Sequence, residues 1–169
     1  NPEGLTALDV GASTGGFTDC LLQAGSTKVY ALDVGHGQID YQLRKDPRVF
    51  IMEGVNAHYP FQLPGKVDII TVDVSFISLS KVVPNLVDHL SEEGIILALV
   101  KPQFEAHPSD VGKGGVIKDP KVHSKVLGTT LLWAIRSKLR IRGLEPSPIL
   151  GTRGNREFFM FLTSYSTSR

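Results

Sequence analysis

The chain has 169 residues, 41% of them apolar and 21% charged, with 18 Lys plus Arg against 17 Asp plus Glu. This is the size and composition of one soluble globular domain, and so even a charge balance gives no bulk attraction to a polyanion, so any nucleic-acid surface must be local. The single cysteine, Cys20, excludes an intrachain disulfide, and no apolar run nears the roughly twenty residues that a membrane helix needs.

Apolar runs rich in Val, Ile and Leu alternate with segments of helical period. The first, "LTALDV" (5–10), starts almost at the head of the sequence, with no Met and no signal-peptide pattern ahead of it, so the chain reads as a piece of a longer cytoplasmic protein. A loop, "DVGASTGG", leads into a helix whose apolar positions are Phe17, Cys20 or Leu21, and Ala24, with Gly25 as its stop; Cys20 is expected on its inner face. Strands are then expected at 28–34, 48–53 and 66–74, a helix kinked by Pro84 at 78–90, and a strand at 94–101. A long Gly- and Pro-containing loop follows at 101–120, either a substrate-facing lid with Lys113 on a phosphate or plain surface loop. After it come a helix at 121–138, with Trp133 in the core, a stretch "RSKLRIRG" whose cations share one face if its second half is a strand, and an aromatic strand at 156–162 ahead of a polar tail. Strands that lack strict alternation and are separated by helices predict an α/β fold with a largely parallel sheet, covered by helices on both faces.

Ionisable residues close five of these runs: Asp9, Asp33, Glu53, Asp73 and Lys101. In an open parallel sheet the carboxyl ends lie on one edge, where ligands bind; the plainer alternative is that charges at strand ends are simply solvated. If the last strand runs antiparallel, its beginning lies on that same edge and adds Glu157. The opening loop brings Gly11, Gly15 and Gly16 near a ligand without side chains in the way. Its spacing fits neither the dinucleotide fingerprint G-x-G-x-x-G nor the phosphate loop G-x-x-x-x-G-K-[ST]. The form D-x-G-x-x-x-G-G is the one associated with S-adenosylmethionine, and Asp33, 17 residues beyond Gly16, can accept a pair of ribose hydroxyls. The histidines show no metal-ligand spacing, so no metal is expected; His36 and Asn56 follow strand ends and are either pocket or loop residues.

The stretches "LDVGASTGGFTDCLLQAGSTKVYALDVGHGQ", "VDVSFISL", "LVKPQFE", "VGKGGVIKDPKVH" and "GNREFFMFL" resemble the hemolysin A (TlyA) family of ribose 2′-O-methyltransferases, within the broader FtsJ-like group. The resemblance implies a Rossmann-like class I methyltransferase domain over 1–169, with a seven-stranded sheet whose last strand is antiparallel. It implies S-adenosylmethionine as methyl donor and cytidine ribose in ribosomal RNA as substrate. From the group's Lys-Asp-Lys-Glu tetrad it implies catalytic roles for Asp73, Lys101 and Glu157; the first lysine belongs on a helix ahead of the opening strand, and a small RNA-binding module ahead of that. Donor-binding positions are expected at Asp9, Gly11, Ala12, Ser13, Gly15, Gly16, Phe17, Thr18, Asp33, Val34, Asn56 and Asp73. Lys101 acts either as the base toward the 2′-hydroxyl or as the group that orients it, and an ion pair with Asp73 that only steadies the strand ends is the plainer reading. A non-catalytic, hemolysin-like protein that binds RNA or a membrane is the competing reading of the whole chain.

Overall fold

A computed structural model describes residues 1–165. Seven strands form one sheet in the order β3-β2-β1-β4-β5-β7-β6. They are β1 (Thr6–Val10), β2 (Lys28–Asp33), β3 (Val49–Glu53), β4 (Val67–Val72), β5 (Leu90–Val100), β6 (Leu139–Pro146) and β7 (Phe158–Ser164). The first five are parallel, and β7 lies antiparallel between β5 and β6. Strand order reverses between β1 and β4, which opens a crevice at their carboxyl ends, the place where open α/β sheets take ligands.

Alternate residues of the central strands feed two layers. Leu8, Tyr30, Ile70 and Ile96 point to the larger core, closed by Leu79, Val82, Leu86 and Ala134. Ala7, Val29 and Ile69 point the other way, onto Leu21 and Leu22 of helix α1 (Gly16–Gln23). Helices therefore cover both faces, as strands apolar on both sides require.

The five parallel strands fall where the apolar runs placed them, but three expectations need correction. The helix expected over 78–90 is two single turns, α3 (Leu79–Val82) and α4 (Pro84–Val87). Pro84 has no N–H to continue the first turn and starts a second as its N1 residue, while Leu90 already belongs to β5, paired with Val67 across a register irregularity. On α1 the inner face is Thr18, Leu21 and Leu22, and Cys20 is exposed; the spacing fitted two faces about one residue apart, and the packing of Ala7 and Val29 selects the second. The last strand continues to Ser164, since Thr163 and Ser164 still pair with Arg140 and Leu139; residues 166–169 of the expected polar tail lie outside the described residues.

A short helix α2 (Tyr41–Lys45), capped by Asp40 on the Gln42 N–H, was not evident from the sequence. The helix α6 (Pro120–Arg136) starts with Asp119 as cap and Pro120 behind it, and Trp133 packs half-buried against the larger core. Arg140 and Arg142 are both exposed on β6. Yet β6 begins opposite Ser164 and ends opposite Phe158, so its arginine-bearing half lies away from the crevice edge.

Ile70, fully buried at the centre of the sheet, sets the cost of losing core volume. Replacing Ile70 with Ala should remove about 2–5 kcal/mol of stability, against under about 0.5 kcal/mol for the same change at Ile135, which is half exposed on α6. Urea unfolding of the two variants checks the contrast.

Candidate active site

The loop after β1 brings two backbones into contact. The N–H groups of Gly11 and Ala12 both donate to the Leu32 carbonyl, and the Asp73 N–H donates to the Val10 carbonyl. Gly11 sits at φ +83°, and a Cβ there would run into the carbonyl of Asp73. Only glycine permits both the left-handed backbone and the close approach. Ser13, also left-handed, donates its N–H to Asp33 Oδ2 at 2.8 Å, and Gly35 donates to Asp33 Oδ1 at 2.7 Å. These two bonds fix the Asp33 carboxylate at the rim.

Two cavities meet at this loop. The larger, about 570 Å³, is lined by Gly11, Ser13, Asp33, Val34, Asn56 and Asp73, with His58, Ser75 and Phe76 among its other walls. The smaller, about 370 Å³, is lined by Gly11, Ala12, Ser13, Gly16, Phe17 and Asp73, with Thr14 and Cys20. Gly11, Ser13 and Asp73 border both, so the space is one crevice bent around the β1 and β4 ends.

Three of the expected donor-binding positions do not face it. Asp9 is fully buried beneath the loop, where its carboxylate accepts from Thr18 Oγ1 at 2.7 Å and Thr71 Oγ1 at 2.8 Å. Thr18 is buried with it, and Gly15 turns toward α2, where Leu43 fills the place of a side chain. These residues build the loop from below. Glu53, another of the acids at strand ends, is taken by Arg44 and the Gly37 N–H, and His36 stacks close to Gly54 outside the crevice.

Beside Asp73 lies Lys101, just past β5. Its Nζ is 2.6 Å from Asp73 Oδ1 and 3.1 Å from Ser75 Oγ, with its side chain 13% exposed. Because β7 is antiparallel, Val100 pairs with Phe158, which sets Glu157 next to Lys101 along the same edge. Glu157 is buried, and its Oε1 accepts from Gln103 Nε2 at 2.8 Å. The structure thus brings Asp33, Asp73, Lys101 and Glu157 to one edge.

Sequence reasoning missed the groups that hold these. Ser75, Gln103 and Glu105 lie within the quoted stretches "VDVSFISL" and "KPQFE", but nothing in their types announces a partner. Phe76 was missed too: 90% exposed at φ +62°, it meets Phe104 at a tilt of 47° with ring centres 4.9 Å apart, at the mouth of the larger cavity. The loop read as a lid is pinned in its second half. Buried Asn155 donates to the Gly115 carbonyl and accepts from the Ile117 N–H, and Arg153 donates to the Gly114 carbonyl; Lys113 is exposed on it.

Residues 1–164 match the FtsJ-like methyltransferase family, and the chain belongs to it. It is 44% identical over 161 residues to the 16S/23S rRNA (cytidine-2′-O)-methyltransferase TlyA of Mycobacterium tuberculosis, covering 94% of this chain and 60% of that protein. Hemolysin A of Brachyspira hyodysenteriae is 43% identical over 162 residues, covering 92% of this chain and 66% of that one. A solved structure from Streptococcus thermophilus, described as a candidate hemolysin, superposes with a TM-score of 0.94 at 42% identity, over 98% of this chain and 62% of the other. The chain therefore spans between 56% and 66% of the length of the curated relatives it matches. The fold is the Rossmann-like methyltransferase fold. No helix among the described residues is long and apolar enough to cross a membrane.

Burial pushes the Asp9 carboxyl up to about 6, against the opposing hydrogen bonds from Thr18 and Thr71. A carboxyl raised in the folded state contributes stability below its ordinary value near 3.8, and that contribution is lost as pH rises through 6. The loss amounts to about 3 kcal/mol at one pH unit per 1.36 kcal/mol. Asp9→Asn should therefore melt higher than the parent at pH 8 and lose most of that advantage by pH 4.5. Parallel thermal melts with the same pH dependence in both proteins would contradict the assignment.

Proposed function

We propose that the protein transfers a methyl group from S-adenosylmethionine to the 2′-hydroxyl of a cytidine ribose in ribosomal RNA. The observation that carries the reading is the place of the Asp73–Lys101 pair: Asp73 borders both cavities, and Lys101 is tied to it at 2.6 Å. A reactive group held there is within reach of anything bound on either side.

The residues present fit such a donor. The Asp33 carboxylate, with one backbone N–H on each oxygen, keeps lone pairs for two vicinal hydroxyls. Side-chain-free Gly11 lets the two cavities communicate, and the glycine spacing of the loop is not that of a pyrophosphate-binding loop. When bound, the donor supplies a methyl group already activated on a sulfonium. Val34 and Asn56 then line the space beyond Asp33, and Gly16 and Phe17 the smaller cavity on the other side of Gly11.

Lys101 in its ammonium form has three N–H donors. One is given to Ser75 Oγ, the ammonium is ion-paired with Asp73, and a donor is left for the 2′-oxygen. It orients that oxygen for in-line attack on the sulfonium methyl; as the C–O bond forms the C–S bond breaks, its electron pair stays on the sulfur of the departing thioether, and the hydroxyl proton passes to solvent water. Alignment of this kind can supply up to roughly 10 kcal/mol of the barrier reduction. Exposed Phe76, backed by half-buried Phe104, offers a face on which an unstacked base can lie, the usual way a single-stranded nucleotide is held. Lys113, Arg153 and Arg156, all exposed on the loops flanking Glu157, supply cations for the adjoining phosphates.

Two measurements test the reading. Asp33→Ala should weaken S-adenosylmethionine binding at least about tenfold by calorimetry, equal to the loss of one good charge-assisted contact, while NAD should not bind the parent protein. Lys101→Ala should lower methyl incorporation into ribosomal RNA by about 100-fold or more. Equal incorporation by the parent and the variant removes Lys101 from the reaction.

A further inference from the structure

We propose that Gln103 is a positioning residue that holds the Glu157 carboxylate in register with Lys101. The inference rests on the methyl-transfer reading above and adds to it a residue that touches neither cavity.

Gln103 lies on the single turn α5 (Pro102–Glu105), which begins immediately after Lys101. Its Nε2 donates to Glu157 Oε1 at 2.8 Å. That contact also fixes which way the amide points, because a flipped amide would set its oxygen against a carboxylate oxygen. Glu157 itself is only 7% exposed, and its carboxylate occupies the space where a Cβ on Gly151 would stand. Nothing but glycine at 151 leaves the carboxylate this seat, and Gln103 is the side chain that keeps it there.

The other end of the amide gives the stronger argument. Gln103 Oε1 is buried with no hydrogen-bond partner among the described residues. A buried acceptor without a donor carries a desolvation cost that methionine, of similar length, would avoid. The turn bears that cost and gains one hydrogen bond, the one to Glu157. Such an exchange is expected where a carboxylate must be aimed.

The same turn is anchored at its far end. Glu105 accepts from Ser78 Oγ at 2.6 Å and from the Leu79 N–H at 2.7 Å. One turn of chain thus connects the segment after Asp73, through Glu105, to the segment before β7, through Gln103, with Lys101 at its head. The relative placement of Asp73, Lys101 and Glu157 is set by this bracket.

Gln103→Met tests the assignment by keeping the length and removing the donor. Its kcat for methylation of ribosomal RNA should fall between about tenfold and a hundredfold, the scale of a small misplacement. The KM for RNA and the donor affinity should stay within about twofold. In a Glu157→Gln background, Gln103→Met should cause no further loss of kcat, since both changes remove the same aimed carboxylate. A parent-like kcat in Gln103→Met, or losses that multiply in the double variant, would overturn the proposal. A crystal structure of Gln103→Met separates it from the functional reading. If the parent protein proves unable to methylate ribosomal RNA, that reading fails, while a Glu157 carboxylate displaced in the variant still supports positioning and one left in place still refutes it.

Discussion

The crevice exists because two backbones come closer than side chains would allow. Gly11 faces the Asp73 carbonyl with no room for a methyl group between them, and the Asp73 N–H reaches back to the Val10 carbonyl. This contact ties the loop after β1 to the loop after β4 at the point where strand order reverses. The Gly11 conformation, the turn at Ser13 and the seat of Asp33 follow from it. So does the position of Asp73, which cannot move without displacing the loop on the other side of the crevice.

Beneath the loop the same join is made a second time by side chains. Fully buried, Asp9 bridges Thr18 on α1 and Thr71 on β4. A carboxyl placed there is costly when charged, and the two hydroxyls offset only part of that cost. An apolar residue would pack more cheaply, but it would not grip a helix and a neighbouring strand in directions that set the loop above. The acid that opens the glycine motif is therefore a structural strut, with its chemistry turned inward.

The strands and the crevice edge were legible in the sequence because they rest on patterns that burial enforces. Runs such as "KVDIITVDV" have no polar alternation and can only be covered on both sides, and their terminal charges mark the edge where cover stops. What was not legible depends on third partners. Phase around α1 is set by Ala7 and Val29, residues remote in the sequence, so Phe17 and Cys20 looked as buried as Thr18 and Leu22. Asp9 and Asp33 carry the same side chain at the same kind of place, but Asp9 pairs with Ala31, so Asp33 stands two residues further along the register, past the end of β1, which leaves the first under the loop and the second at the rim. Gln103 and Glu105 acquire their roles from Glu157 and Ser78, which the fold alone brings to them. Phe76 is an aromatic residue that the ordinary burial rule assigns to the core, and a left-handed backbone turns it out instead.

The insertion of β7 between β5 and β6 means that the last of the described strands occupies an interior slot of the sheet. Until it arrives, β5 and β6 both present bare hydrogen-bonding edges, and Glu157, which immediately precedes it, is still outside the fold. During synthesis the donor crevice can close around β1, β2 and β4 while the sheet is still split on its far side. Placement of the Glu157 carboxylate beside Lys101 is therefore tied to the same event that seals the sheet, so a chain cut short before that point would combine an open edge, prone to pair with other strands, with an incomplete crevice edge.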